Sequence, residues 1–95
     1  MAKGLKIFDA SEYLEDSETI SEYLNAAIET GDQALLLSAI GDIAKATGMQ
    51  KIANETGLGR ESLYKALAPG AKPRFDTVFK ILQALGVSLK TAPQQ

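Results

Sequence analysis

The segment GLGRESLYK, Gly57 to Lys65, gathers side chains suited to gripping a polyanion. Arg60 carries a planar fork of donors for a guanine edge or a phosphate. Lys65 adds a point charge, and Glu61 can accept from the amino group of cytosine. At about 100° per residue, Arg60, Glu61, Tyr64 and Lys65 share one side of a helix, and Leu63, Ala66 and Leu67 share the other. Just upstream, two glycines bracket Leu58. Gly57 can take the positive φ that ends a helix, Leu58 plugs the corner into the core, and Gly59 stands at the next N-cap. Before them, a short helix from Met49 turns Ile52 and the small Ala53 inward. Two short helices joined by a Gly-containing turn make a helix-turn-helix, whose second helix can lie in a DNA major groove. A purely structural corner uses similar glycines, so the pattern alone leaves both readings open.

Catalytic chemistry has little to work with. The chain has no His and no Cys, which removes the commonest general base, the usual nucleophile–base pairs and the commonest transition-metal ligands. Glu12, Glu15, Asp16 and Glu18 cluster in sequence but lack the spacing and the glycine of an EF-hand loop. The glycines of GLGRES fit neither a phosphate-binding loop nor a dinucleotide fingerprint, and no strand precedes them. Ser62 and Lys65 lie one turn apart on an exposed face, where such spacing is usually coincidence. The expectation is a non-enzyme with no cofactor and no metal.

The elements that must position this corner are helical. Ile20, Tyr23, Leu24, Ala27 and Ile28 form one apolar stripe, capped by Ser17 or Thr19 (Thr19 and Glu22 have capping-box spacing) and ended by Gly31. Asp32 opens a second helix through QALLLSAIGDIAKAT, with Leu36, Ile40, Ile43 and Ala44 on one side and Gly48 as its stop. Gly41 inside it invites a close helix contact. Pro69, Gly70 and Pro73 mark a loop before FDTVFKILQAL, whose stripe is Phe75, Val78, Phe79, Leu82 and Leu85, closed by Gly86. Leu5–Phe8 and Val87–Leu89 are short extended candidates. The fold class is all-α: a compact five-helix domain. Its expected core is Tyr23, Leu24, Ile28, Leu36, Ile40, Ile43, Ile52, Ala53, Leu58, Leu63, Leu67, Val78, Phe79 and Leu82.

Ninety-five residues suit one domain with a modest core. Absence of cysteine fits a reducing compartment, no apolar run approaches a membrane span, and the first residues lack the pattern of a signal peptide. The expected location is therefore the cytoplasm. Charge is lopsided. Residues 1–44 carry nine acids against two lysines, a net −7, and residues 45–95 carry three acids against eight bases, a net +5. Such asymmetry points to two partners, the basic half meeting a polyanion, although solvated helix faces give the same count.

The stretch KATGMQKIANETGLGRESLYKALAPGAKPRFDTVFKILQALGVSL closely resembles the Cro/lambda-repressor-like (Xre-type) helix-turn-helix domains of HigA-like antitoxins, the antidote proteins of bacterial addiction modules. The upstream FDASEYLEDSETISEYLNAAIETGDQALLLSAIGDIAKATGM is similar to the N-terminal extension of the same subfamily. The resemblance implies an antitoxin that neutralises a small basic RelE/ParE-type toxin and represses their shared promoter. It places base-reading positions on Arg60, Glu61 and Lys65, and a phosphate contact on Gln50. Lys51, Gly59, Ser62, Tyr64, Lys72 and Arg74 complete the expected DNA-facing set. Gly59 replaces the usual Ser or Thr, and GAKP stands where an Asn often precedes the proline, so Lys72 takes that place.

The implied organisation is an N-terminal extension at 1–16, a helical DNA-binding domain at 17–90 with the helix-turn-helix at 49–67, and a frayed tail at 91–95. A homodimer on a double-stranded operator is expected, its surface lying on the terminal helix and Val87–Leu89. Phe8, Tyr13 and Leu14 are candidate anchors for the toxin, or else fold back to complete the core. The competing readings are a free-standing transcriptional regulator with no toxin partner and an interaction adaptor that does not bind DNA.

Overall fold

The computed structural model describes residues 16–94. Among the described residues five helices run in chain order: α1 (Ser17–Glu29), α2 (Gln33–Thr47), α3 (Met49–Thr56), α4 (Arg60–Ala66) and α5 (Phe75–Ala84). No strand occurs among the described residues, and Val87–Leu89 is irregular chain. Leu5–Phe8, Phe8, Tyr13 and Leu14 lie outside the described residues.

Glycines and polar caps set most of the boundaries. Gly31 takes φ +74° at the end of α1, and Asp32 caps α2 by accepting from the amides of Ala34 at 3.0 Å and Leu35 at 3.2 Å. Gly48, at φ +117°, ends α2 and begins α3 in a single residue. After α5, the amide of Gly86 donates to the Gln83 carbonyl and that of Val87 to the Leu82 carbonyl. This is the Schellman pattern that a left-handed glycine permits. The start of α1 differs from expectation. Asp16, not Ser17 or Thr19, is the N-cap residue, and no side chain caps the helix. Instead the Thr19 hydroxyl donates to the Asp16 carboxylate at 2.9 Å.

Helix α3 is the hub of the packing: it meets α2, α4 and α5, while α1 lies against α2. Its buried Met49, Ile52 and Ala53 join Ile20, Leu24 and Ala27 of α1, Ala39, Ile40, Ile43 and Ala44 of α2, Leu63 of α4, and Ile81 and Leu82 of α5 with Leu85 after it. Tyr23, Leu36, Leu58, Leu67 and Val78 pack at its edge. Two expected core residues lie outside it. Ile28, in the last turn of α1, is 49% exposed, and Phe79 is 39% exposed. The α5 case is a register ambiguity: Phe75, Phe79 and Leu82 satisfy helical spacing, but so do Val78, Ile81, Leu82 and Leu85. The second set wins, with Ile81 fully buried, and Phe75 stacks on Phe79 outside, ring centroids 5.8 Å apart.

Gly41 is also not the tight contact its position suggested. A Cβ there would lie 3.8 Å from the Leu67 Cβ and carbonyl oxygen, ordinary van der Waals contact. The two segments would accept alanine.

Candidate nucleic-acid interface

The turn between α3 and α4 is held by backbone geometry and one hydroxyl. Gly57 sits at φ +78°, ψ 4°, and its amide donates to the Ala53 carbonyl at 3.0 Å. An L-side chain there is strained, because its Cβ crowds the following carbonyl. The Thr56 hydroxyl donates to the Ile52 carbonyl at 2.8 Å and accepts from the Leu58 amide at 3.2 Å. It therefore stitches the end of α3 to the turn. Leu58 packs half-buried against the core. Gly59, extended at φ −68°, ψ 152°, begins α4 without any side-chain cap.

Helix α4 is anchored through one residue. Leu63 is fully buried, with Ala66 and Leu67 half-buried beside it. Arg60, Glu61, Ser62, Tyr64 and Lys65 are all exposed. The Arg60 guanidinium carbon lies over the Tyr64 ring, 5.2 Å from its centroid. Tyr64 thus covers an arginine at the surface more than it covers the core edge.

The flanking polar and basic residues fall into two groups. Gln50 and Lys51 are exposed on the first turn of α3, and the Gln50 amide donates to the Asn54 side-chain carbonyl at 3.1 Å. Asn54 and Thr56, absent from the expected set, thus brace Gln50 and the turn respectively. A polar residue four positions after Gln50, and a hydroxyl immediately before Gly57, are spacings that permit these contacts without fixing the rotamers that make them. Lys72 and Arg74 lie exposed in the loop before α5. Arg74 pairs with Asp76 at 3.3 Å, both side chains well exposed. Such a surface pair is worth about 0–1 kcal/mol and yields readily to a phosphate.

Elsewhere the surface carries an apolar groove of about 1170 Å³, with Ile28, Leu37, Phe75, Val78, Val87 and Leu89 among its lining. Asp16, Glu18, Lys72 and Lys90 border it, and no residue of α3 or α4 contributes. Among the described residues no group of carboxylates is placed to hold a metal ion, and no helix is long and apolar enough to cross a membrane.

The described residues form an all-helical domain with an exposed basic corner, in a chain whose opening half is acidic. The family comparison narrows this description. The family model for "Probable addiction module antidote protein" matches residues 4–93, and the chain belongs to that family. It is also similar to an uncharacterized protein of Haemophilus influenzae, 43% identical over 90 residues that cover 95% of this chain and 93% of the relative. No solved structure matches significantly. Membership in an antidote family implies an antitoxin role and a toxin partner.

Proposed function

We propose that this antidote also binds operator DNA, with α3, the Gly57–Gly59 turn and α4 acting as a lambda-repressor-like helix-turn-helix. The observation that carries the reading is the exposure of α4: Leu63 is fully buried, with Glu61 and Lys65 exposed opposite it and Arg60, Ser62 and Tyr64 exposed on its flanks. In this reading Arg60, Glu61 and Lys65 meet base edges. Gln50, Lys51, Gly59, Ser62, Lys72 and Arg74 meet the backbone, which positions the helix without specifying sequence.

One α4 contacts too few base pairs for useful specificity, so the active species is a homodimer on a pseudo-palindrome. The supporting surface is the apolar groove around Phe75, Val87 and Leu89. Asp16, Glu18 and Lys90 at its rim suit a second copy of the chain, and its position leaves both α4 helices free. The toxin of this reading is a small basic protein of RelE/ParE type, met by the acid-rich first half together with Phe8, Tyr13 and Leu14. Acids steer such an encounter and buried apolar side chains supply the affinity. The protein so described represses its own operon and catalyses nothing.

The test is binding of the full chain to duplex DNA from upstream of its gene, followed by fluorescence anisotropy at several salt concentrations. Arg60→Ala should relax base preference, while Lys72→Ala should weaken binding to every sequence and flatten the salt slope by about 1. No preference for any upstream sequence over random duplex would sink the operator reading. Deleting residues 1–16 should abolish capture of the neighbouring gene's product. Retained capture would place the toxin contact elsewhere. If the neighbouring gene encodes no small basic protein, the free-standing regulator is the better account.

A further inference from the structure

Arg60 holds an unusual position for the most adaptable side chain on the surface of α4. It begins the helix, it is exposed, and its guanidinium lies 5.2 Å from the centroid of the Tyr64 ring one turn on. Among the described residues no carboxylate lies in ion-pair range of it; the ion pair found there joins Arg74 to Asp76. The choice of partner has a chemical consequence. A carboxylate would occupy the N–H edges of the guanidinium with ionic hydrogen bonds, whereas a ring centred 5.2 Å from the guanidinium carbon leaves N–H edges for other partners. Those edges are what a bidentate contact to guanine O6 and N7 uses. Tyr64 is itself 41% exposed and belongs neither to the buried core nor to the side chains packed against it.

We propose that Tyr64 is a positioning residue for base readout: its ring holds Arg60 in a restricted orientation with the guanidinium donors free for a guanine. The proposal rests on the DNA-binding reading above. Its energetic basis is pre-organisation, since an arginine already confined by an aromatic face loses less side-chain freedom on binding. The spacing i to i+4 makes this possible without help from any other element.

The experiment first selects a preferred duplex from a random pool with the wild-type full-length chain. It then measures affinity for that duplex, each single-base-pair change of it, and a random duplex. Tyr64→Leu should lose about two- to fivefold on the selected duplex, the range expected of an exposed cation–π contact. The loss should fall on the base pair whose identity Arg60→Ala ceases to read, with no loss on random duplex. In the Arg60→Ala background, Tyr64→Leu should cost nothing further. Tyr64→Phe should bind as wild type, and all variants should melt within a few degrees of it. Additive losses in the double variant would overturn the proposal. So would a Tyr64→Phe variant as weak as Tyr64→Leu, because the hydroxyl would then be touching DNA itself. Failure of the wild type to enrich any sequence would overturn the DNA reading, and this proposal with it. Enrichment followed by additive losses would overturn the positioning role alone.

Discussion

The α1–α2 junction and the α3–α4 junction join helices of this one chain in opposite styles. Between α1 and α2, side chains do the work. The Thr30 hydroxyl donates to the Ala27 carbonyl and accepts from the Asp32 amide, and the Asp32 carboxylate takes two amides at the start of α2. Tyr23 then reaches across to Asp42 at 2.9 Å. Between α3 and α4, Thr56 braces the near side, but α4 begins at a glycine with no side-chain cap. The first junction is secured locally. The second depends on what α4 buries, and that is mainly Leu63. This difference teaches that the corner proposed to meet DNA trades local capping for an open surface.

The sharpest way to break the comparison is Leu63→Ala. A fully buried leucine should cost about 2–5 kcal/mol, and because α4 has so little else holding it, the loss should be accompanied by fraying of α4. Amide exchange in residues 60–66 should rise by more than in α1. A melt unchanged by this substitution would show that α4 is held by some other contact.

Asp32→Ala tests the other junction. Losing an N-cap carboxylate costs about 0.5–2 kcal/mol, and here two amide bonds go with it. Chemical denaturation should show this loss with α4 exchange unaffected. Equal loosening of both junctions would mean that α1–α2 and the corner open as one unit.

Gly59→Ser sharpens the contrast from the opposite direction. At φ −68° the position imposes no left-handed penalty, and an added Cβ would lie 3.9 Å from the Ser62 hydroxyl. A serine there gains a capping acceptor and loses unfolded-chain freedom, together roughly 0.5–1 kcal/mol of added stability. A destabilised Gly59→Ser would show that the turn needs glycine for a reason the backbone angles do not contain.

Legibility in the sequence follows the same division. Punctuation was readable wherever one residue type is forced: Gly31, Gly48, Gly57 and Gly86 all sit at positive φ at helix ends, and Asp32 caps as its type demands. What periodicity leaves degenerate was not readable. The α5 stripe admits two registers sharing Val78, Leu82 and Leu85, and only packing against α3 chooses Ile81 over Phe79. Ile28 failed for a related reason: in the last turn of α1 it is Ala27 that enters the core, and Ile28 beside it faces the surface groove. The exposed set on α3, α4 and the following loop was legible as a pattern of types. The Arg60–Tyr64 and Gln50–Asn54 contacts within it were not, because they depend on rotamers.

The smallest effect concerns Tyr23, the cross-link between α1 and α2. Its phenol pKa is raised, first by the hydrogen bond it donates to Asp42, then by partial burial, then by the Asp42 charge. The folded state therefore holds the phenol proton more tightly than the unfolded chain, whose tyrosine titrates near about 10. The stability linked to this group is fully present below that pH and is lost as pH rises through the folded value, because the unfolded chain releases the proton first. Tyr23→Phe removes the group and its hydrogen bond together. Wild type should exceed the variant by a constant small margin from neutral pH to about 9, and the margin should shrink toward zero above about 10. Paired urea titrations of wild type and variant across that range read the margin directly. A margin that stays constant through pH 11 would mean that the Tyr23–Asp42 bond contributes nothing to holding the hairpin, and the contrast between the two junctions would rest on Thr30 and Asp32 alone.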